Sequence, residues 1–204
     1  MESIRILTLN MFLRPPGIHT NASDYKDLRT QILIEEVLNS FDLICLQEVF
    51  STLSSRKALI ISEASKRGLN YSHSSPCPNP FNGHFTDGGL LILSRFPILS
   101  TDQITYEDST GPDRLSSKGA IYARLSINKS NFHIFTTHLQ SSYTTFNYPQ
   151  FMNYRQVRRK QLKQFKSFVN SKVGLQYEPV IIAGDFNIDG KEELKPPLFE
   201  VSFK

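Results

Sequence analysis

The chain has 204 residues, a net charge of +4 and an ordinary globular composition, with 39% hydrophobic and 21% charged residues. This length suits about one domain, and the composition excludes disordered, fibrous and membrane-spanning proteins. The slight positive excess favours anionic partners such as phosphates, nucleic acid or membrane surfaces without choosing among them. The two cysteines exclude a disulfide framework and a cysteine-based zinc site.

Short apolar runs alternate with longer amphipathic runs along the chain. In chain order they predict a strand at 5–12, a helix at 25–40, a strand at 41–49, a helix at 54–68, a strand at 88–98, a hairpin of strands at 120–127 and 131–139, a helix at 151–173 and a strand at 179–186. This order predicts an α/β protein whose sheets are covered by helices.

The N-terminal segment, MESIRILTLNMF, lacks the basic region and cleavage site of a signal peptide. No window reaches the roughly 18 consecutive apolar residues of a membrane-spanning helix. The chain as written is therefore expected to be cytoplasmic or peripheral to a membrane.

Four of the predicted strands end in polar side chains that suit phosphate chemistry. Because strand side chains alternate between faces, each polar residue continues one face of its own strand. Ligand groups in open α/β sheets collect at such strand ends. The four rows are Ile4, Ile6, Thr8 and Asn10; Ile44, Leu46 and Glu48; Phe132, Ile134, Thr136 and His138; and Asp185 with Asn187.

These residue types suit metal-assisted hydrolysis of a phosphate ester. Glu48 supplies the hard oxygen that Mg²⁺ prefers, and Asp185 can orient or deprotonate an attacking water. Asn10, Asn187 and His138 can hold water or donate to phosphoryl oxygens, His138 most strongly when protonated. Each residue alone has a simpler explanation. Glu48 could be a solvated strand end, Asp185 and Asn187 could belong to a turn, and His138 could be a partly buried imidazole with its hydrogen bonds made. Their coincidence on four strands favours the functional interpretation.

Six segments in this order resemble the endonuclease/exonuclease/phosphatase superfamily, which has the DNase I-like fold. The segments are TLNMF, LQEVF, DGGLLILSRFPI, KGAIYARL, THLQSSY and AGDFN. The middle segments are most similar to neutral sphingomyelinases. The resemblance implies a four-layer α/β sandwich of two packed mixed sheets over residues 1–190, with a non-family tail at 191–204.

The resemblance also implies roles for the residues of the site. Glu48 would be the main Mg²⁺ ligand, with Asn10 near the metal through water. His138, Asp185 and Asn187 would handle the phosphate and the attacking water. In the sphingomyelinase interpretation, water attacks phosphorus and releases phosphocholine and ceramide. Asp87 in the DGG segment and Lys118 in the KG segment would have a substrate-binding or structural role, and Lys118 could equally be a solvated charge.

The sequence departs from the family pattern after Asn187. The family carries a further Ser-Asp-His segment there, whose histidine is the acid–base partner across the site, whereas this chain reads IDGKEELKPPLFEVSFK. None of the other histidines, His19, His73, His84 and His133, fits that position. We therefore expect an incomplete second sheet and weak or absent activity, because loss of one acid–base member costs about 10² to 10⁴ in rate.

Three functions compete at this point. The leading one is a Mg²⁺-dependent phosphodiesterase acting at a sphingomyelin-containing membrane surface. The second is a nuclease of the same superfamily, and the third is an inactive fragment that serves as a binding module. The basic stripe on helix 151–173 and the aromatic segment 141–151 could each touch lipid, but a solvated helix face and packing beneath the helix explain them as well.

Overall fold

The computed structural model describes residues 3–19, 24–78, 83–128, 130–143, 148–174 and 178–189. Eight strands in these ranges form two four-stranded sheets. The first sheet has the order β1-β2-β4-β3, with β1 at Ile6–Leu13, β2 at Leu43–Val49, β3 at Tyr71–Ser74 and β4 at Leu91–Ser94. The second has the order β5-β6-β7-β8, with β5 at Ile98–Thr105, β6 at Gly119–Ile127, β7 at Ser130–His138 and β8 at Val180–Asp185.

The helical segments lie between these strands, as the amphipathic runs predict. They are α1 at Lys26–Ile32, which continues as a π-helical segment at Leu33–Val37 and a 3₁₀ turn at Leu38–Ser40, α2 at Arg56–Lys66, a 3₁₀ helix at Gly111–Leu115 and α3 at Tyr148–Lys172. All six predicted strands and three predicted helices are confirmed, with shifted ends. The strands β3 and β5 were not predicted, because both contain more polar than apolar residues.

Three apolar clusters show that the layers are helix, sheet, sheet, helix. The first cluster packs the π-helical segment that continues α1, together with α2, on the outer face of the first sheet, with Leu33, Ile60 and Leu46 among its members. The second lies between the sheets, and the third packs α3 on the outer face of the second sheet. The expected four-layer α/β sandwich is thus confirmed.

The two sheets bring parallel strand pairs to one edge of the sandwich. In the first sheet β1 runs parallel to β2, with Asn10 opposite Gln47. In the second sheet β7 runs parallel to β8, with His138 opposite Asp185. The carboxyl ends of these four strands therefore meet at the same edge, where ligand sites of α/β proteins are found.

The predicted division of the chain at residue 190 stays a prediction. Residues 190–204 lie outside the described residues. Within the described part of the chain, β8 pairs with β7 on one side and with no further strand on the other.

Candidate active site

Four of the predicted site residues meet where the two sheets come together. Asn10 Nδ2 donates hydrogen bonds to Glu48 Oε1 at 2.9 Å and to Asp185 Oδ2 at 2.8 Å. His138 Nε2 lies 3.9 Å from Glu48 Oε1 and 3.8 Å from Asp185 Oδ2. The side chains that follow β1, β2, β7 and β8 therefore form one cluster.

Three of the predicted rows reach this cluster by ordinary strand alternation. Thr8 and Thr136 point between the sheets, where Gln47 Nε2 lies 3.2 Å from each hydroxyl oxygen. Asn10 and His138 follow these threonines on the same face. On β8, Ala183 belongs to the cluster between the sheets and Asp185 continues its row.

The row predicted for Glu48 is wrong. Ile44 and Leu46 pack against the outer helices, and Val49 rejoins that same outer cluster. Glu48 leaves the row because its φ is +55°, in the left-handed region that costs a side-chain-bearing residue about 1–2 kcal/mol. Glu48 thus reaches the site through a break in the strand, which no periodicity reveals.

The orientation of the Asn10 amide is fixed by its backbone. Phe12 N donates to Asn10 Oδ1 at 3.0 Å, so the NH₂ group faces the two carboxylates. One amide group therefore separates Glu48 from Asp185 and donates to both. This shared donor offsets the repulsion between the two carboxylates.

Glu48 is nearly buried, and burial raises the pKa of its carboxyl, while the hydrogen bond from Asn10 and the charge of Lys118 oppose the rise. Its Oε2 atom is buried and accepts no hydrogen bond from the described residues. An orphaned carboxylate oxygen of this kind fits a hard cation such as Mg²⁺, which takes one or two carboxylates and keeps several waters. The described residues contain no group of three or more His, Cys, Asp or Glu that could hold a metal.

Lys118 lies inside the site and is not a solvated charge. Its Nζ is 3.2 Å from His138 Nε2 and 2.9 Å from Asp113 Oδ2, and it donates to Leu139 O at 3.0 Å. Burial lowers the pKa of Lys118, and the carboxylate of Asp113 opposes that shift. Burial, and then the charge of Lys118, hold the pKa of His138 well below its usual value. Lys118, paired with Asp113, is therefore the basic side chain beside the carboxylates, and His138 lies next to it.

Asn187 closes the end of β8. Its Nδ2 donates to Leu139 O at 3.0 Å, and its backbone N–H donates to Asp185 Oδ1 at 2.9 Å. Both oxygens of Asp185 therefore accept a hydrogen bond, one from Asn187 and one from Asn10. Phe186 points away from the site into the outer cluster, as the alternation predicts.

Asp87 does not line the site. It is fully buried, and its carboxylate pairs with Lys57 and accepts hydrogen bonds from Ser51. Of the two roles left open for this residue, the geometry favours the structural one.

No pattern in the sequence points to Asp113. Asp113 lies in the 3₁₀ helix. Its carboxylate accepts hydrogen bonds from the Tyr143 hydroxyl at 2.5 Å and from the Ser141 N–H at 2.8 Å. Tyr143 is half exposed, and its ring packs edge-on against Tyr154. Of the aromatic segment 141–151, for which the sequence leaves both lipid contact and packing open, residues 144–147 and the side chains of residues 148–151 lie outside the described residues.

Among the five histidines, all of them described, His138 alone lines the cleft. His133 faces the other side of its sheet, where it contacts Tyr122 at 2.9 Å and Glu178 at 2.8 Å. The prediction that no other histidine completes the site is therefore confirmed for the described chain.

The cluster forms the floor of a cleft of about 660 Å³. Its polar floor faces a largely apolar wall. The apolar residues of that wall are Phe12, Pro15, Ile18, Phe50, Pro112 and Leu115. Ile18 and Leu115 are each 49% exposed, and Phe85, whose N–H donates to Leu115 O at 2.8 Å, is 68% exposed. The mouth of the cleft is therefore polar at its base and apolar at its rim.

The sequence of this chain matches the model of a known protein family. The model of the Endonuclease/Exonuclease/phosphatase family matches residues 7–193. A sphingomyelinase of Dictyostelium discoideum is 33% identical over 207 residues, which cover 91% of this chain and 44% of that protein. The chain thus spans less than half the length of this relative.

Solved structures give the same fold. Sphingomyelinase C from Streptomyces griseocarneus superposes with a TM-score of 0.74 and 26% identity, covering 93% of this chain and 66% of the other. A mutant beta toxin from Staphylococcus aureus, solved with bound magnesium ions, gives a TM-score of 0.74 at 24% identity with the same two coverages.

Proposed function

Since the chain belongs to the Endonuclease/Exonuclease/phosphatase family, we propose that its cleft hydrolyses the phosphodiester of sphingomyelin with Mg²⁺ as cofactor. The observation that carries the proposal is the bridging of Glu48 and Asp185 by Asn10, with Glu48 Oε2 left without a hydrogen-bond partner among the described residues. In the reaction, water adds to phosphorus and the bond from phosphorus to the ceramide oxygen breaks. One water proton ends on that oxygen, and the products are phosphocholine and ceramide.

Glu48 and Asp185 have separate tasks in this proposal. Glu48 would hold Mg²⁺, with Asn10 fixing one of its oxygens, and the bound ion would supply positive charge against the phosphate oxygens. Asp185 takes the proton of the attacking water. Its side chain is 28% exposed, so it reaches the cleft, and two hydrogen bonds to its oxygens fix its orientation.

Lys118, His138 and Asn187 lie together on the second-sheet side of the floor, where they would face the phosphoryl oxygens. The buried ammonium of Lys118 is held by Asp113, so it is positioned before a phosphate enters and needs little reorganisation. His138 is the one histidine of the described cleft, and its Nε2 is engaged with Lys118. We therefore expect proton return to the ceramide oxygen to be inefficient, and turnover by this chain to be slow.

A lipid substrate is supported by the rim of the cleft and by the relatives. The exposed side chains of Ile18, Phe85 and Leu115 are suited to an acyl-chain boundary, whereas nucleic acid would favour a rim of cations. Relatives named sphingomyelinase cover more than nine-tenths of this chain. Among the described residues, none of the helices is long and apolar enough to cross a bilayer.

The test is a substrate comparison with the purified chain. Sphingomyelin vesicles and supercoiled DNA are incubated separately with Mg²⁺ or with EDTA, and phosphocholine and nicked DNA are measured. We expect slow, EDTA-sensitive release of phosphocholine and intact DNA. Nicking with no phosphocholine would favour the nuclease, and a folded chain inactive on both would favour a binding module.

A further inference from the structure

The DGG segment, residues 87–89, lies directly behind Glu48. The Asp87 side chain is completely buried, and every contact to its oxygens comes from a donor. Oδ2 pairs with Lys57 and accepts from the Ser51 backbone N–H at 3.2 Å and the Ser51 hydroxyl at 2.6 Å. Oδ1 accepts from the Gly89 N–H at 3.2 Å.

Two of these donors belong to backbone segments that touch Glu48. Gly89 O accepts the N–H of Val49, the residue after Glu48, at 2.9 Å. Gly89 has a φ of +67°, and a Cβ added to it would lie 3.1 Å from Glu48 Cα. Ser51 lies three residues beyond Glu48 on the same stretch of chain. Asp87 therefore ties together the segment behind Glu48 and the segment that follows it.

Glu48 needs this support because the sheet does not supply it. The pairing of β2 with β4 ends at Leu46 opposite Leu91, and the pairing of β1 with β2 is irregular between Asn10 and Leu13. Glu48 therefore lies beyond the last paired residues of β2 and β4, and at the point where the pairing of β1 with β2 is irregular. Its left-handed backbone is a strained conformation that persists only where surrounding contacts fix it.

We propose that Asp87 is a positioning residue which, through Ser51 and Gly89, holds Glu48 in the conformation that binds the cation. This inference rests on the proposed function of Glu48 as the Mg²⁺ ligand. Lys57 neutralises the buried carboxylate, and its polar contact among the described residues is with Asp87 and not with either segment beside Glu48. Lys57 therefore contributes to stability, whereas Asp87 also positions Glu48, and variants of the two residues can separate these effects.

Calorimetric titration of the whole chain with Mg²⁺ tests the inference without a substrate. Asp87→Asn keeps one acceptor oxygen, so its NH₂ group must face either the Gly89 N–H or the Ser51 and Lys57 donors, and one of the two links to the Glu48 segment is lost. We expect Mg²⁺ affinity to fall about tenfold or more, as for other groups that orient a metal ligand. Lys57→Met leaves the Ser51 and Gly89 contacts in place, so it should lower the melting temperature and keep Mg²⁺ affinity within about twofold.

Two further variants complete the design. Glu178→Gln makes the same carboxylate-to-amide change in the Arg124 and Asn131 network outside the cleft, and Mg²⁺ affinity should be unchanged. Ser51→Ala removes a single donor to Asp87, and it should weaken Mg²⁺ binding severalfold even if Asp87→Asn does not fold.

The outcomes separate this inference from the proposed function. Wild-type affinity in Asp87→Asn or in Ser51→Ala, or equal losses in Asp87→Asn and Lys57→Met, would overturn the positioning role alone. Unchanged Mg²⁺ binding in Glu48→Gln would overturn both, since Asp87 acts through Glu48.

Discussion

Asn10 Nδ2 lies 2.8 Å from Asp185 Oδ2, which joins residues 175 positions apart in the chain. The same amide donates to Glu48, so one side chain of the first sheet connects its neighbouring strand to the second sheet. The cleft floor therefore depends on the packing of the two sheets against each other. A local change at Asn10 should disturb the chemistry more than the fold.

The first prediction concerns that amide. In Asn10→Ala the carboxylates of Glu48 and Asp185 lose their shared donor and repel each other, so phosphocholine release should fall about 10- to 100-fold. Circular dichroism should show an intact fold. Asn131→Ala is the control, because it removes an amide that donates to Glu178 outside the cleft. Equal activity of the two variants would contradict the role assigned to Asn10.

Lys118 should be critical for stability as well as activity. Lys118→Met leaves the buried carboxylate of Asp113 without its cation, and breaking such a pair costs about 3–5 kcal/mol. Urea unfolding should show a loss of this size. Lys160→Met breaks the exposed pair with Asp108 and should cost less than about 1 kcal/mol. A loss for Lys118→Met as small as that of the control would show that the ammonium is solvated.

The Glu178 network should make stability depend on acidic pH. Hydrogen bonding from Arg124 lowers the pKa of Glu178 to about 2, below the value of an unfolded glutamate. Its stabilising contribution is therefore complete above the unfolded pKa and is lost as the pH falls through the folded pKa. The difference in unfolding free energy between wild type and Glu178→Gln should shrink steadily between pH 5 and pH 2. A difference independent of pH over that range would refute the assignment.

The apolar rim should contribute to vesicle binding. Replacing Phe85 and Leu115 by serine removes two exposed apolar groups, and each is worth about 1.5–3 kcal/mol when fully buried. Sedimentation with sphingomyelin and phosphatidylcholine vesicles should show binding at least tenfold weaker. Leu99→Ser is the matched control, because Leu99 is 53% exposed on β5, outside the cleft lining. Similar losses in both proteins would argue against docking through the rim.

Much of the fold and most of the site follow from the sequence, because strands and amphipathic helices repeat with fixed periods. Asn10, His138 and Asp185 lie where the alternation of their strands places them. Glu48 reaches the same cluster against the alternation of its strand, since its left-handed backbone carries it out of its row. Only the contacts of Gly89 and Val49 make that conformation understandable.

Other features had no signal in the sequence. Asp113 belongs to a short 3₁₀ helix without periodicity, yet it holds the cation of the site. The buried pair of Asp87 with Lys57 joins residues 30 positions apart, on a loop and on α2. Such contacts arise from the meeting of separate segments, which local patterns do not encode.

The most direct test of the proposed function is a Mg²⁺ titration of phosphocholine release by wild type and Glu48→Gln. We expect wild-type activity to rise with Mg²⁺ to saturation and to vanish in EDTA. In Glu48→Gln the rate of phosphocholine release should fall about 10²-fold or more, and it should recover only in part at high Mg²⁺. If Glu48→Gln released phosphocholine at the wild-type rate across the titration, the cleft built on Asn10, Glu48 and Asp185 would not be the site of hydrolysis.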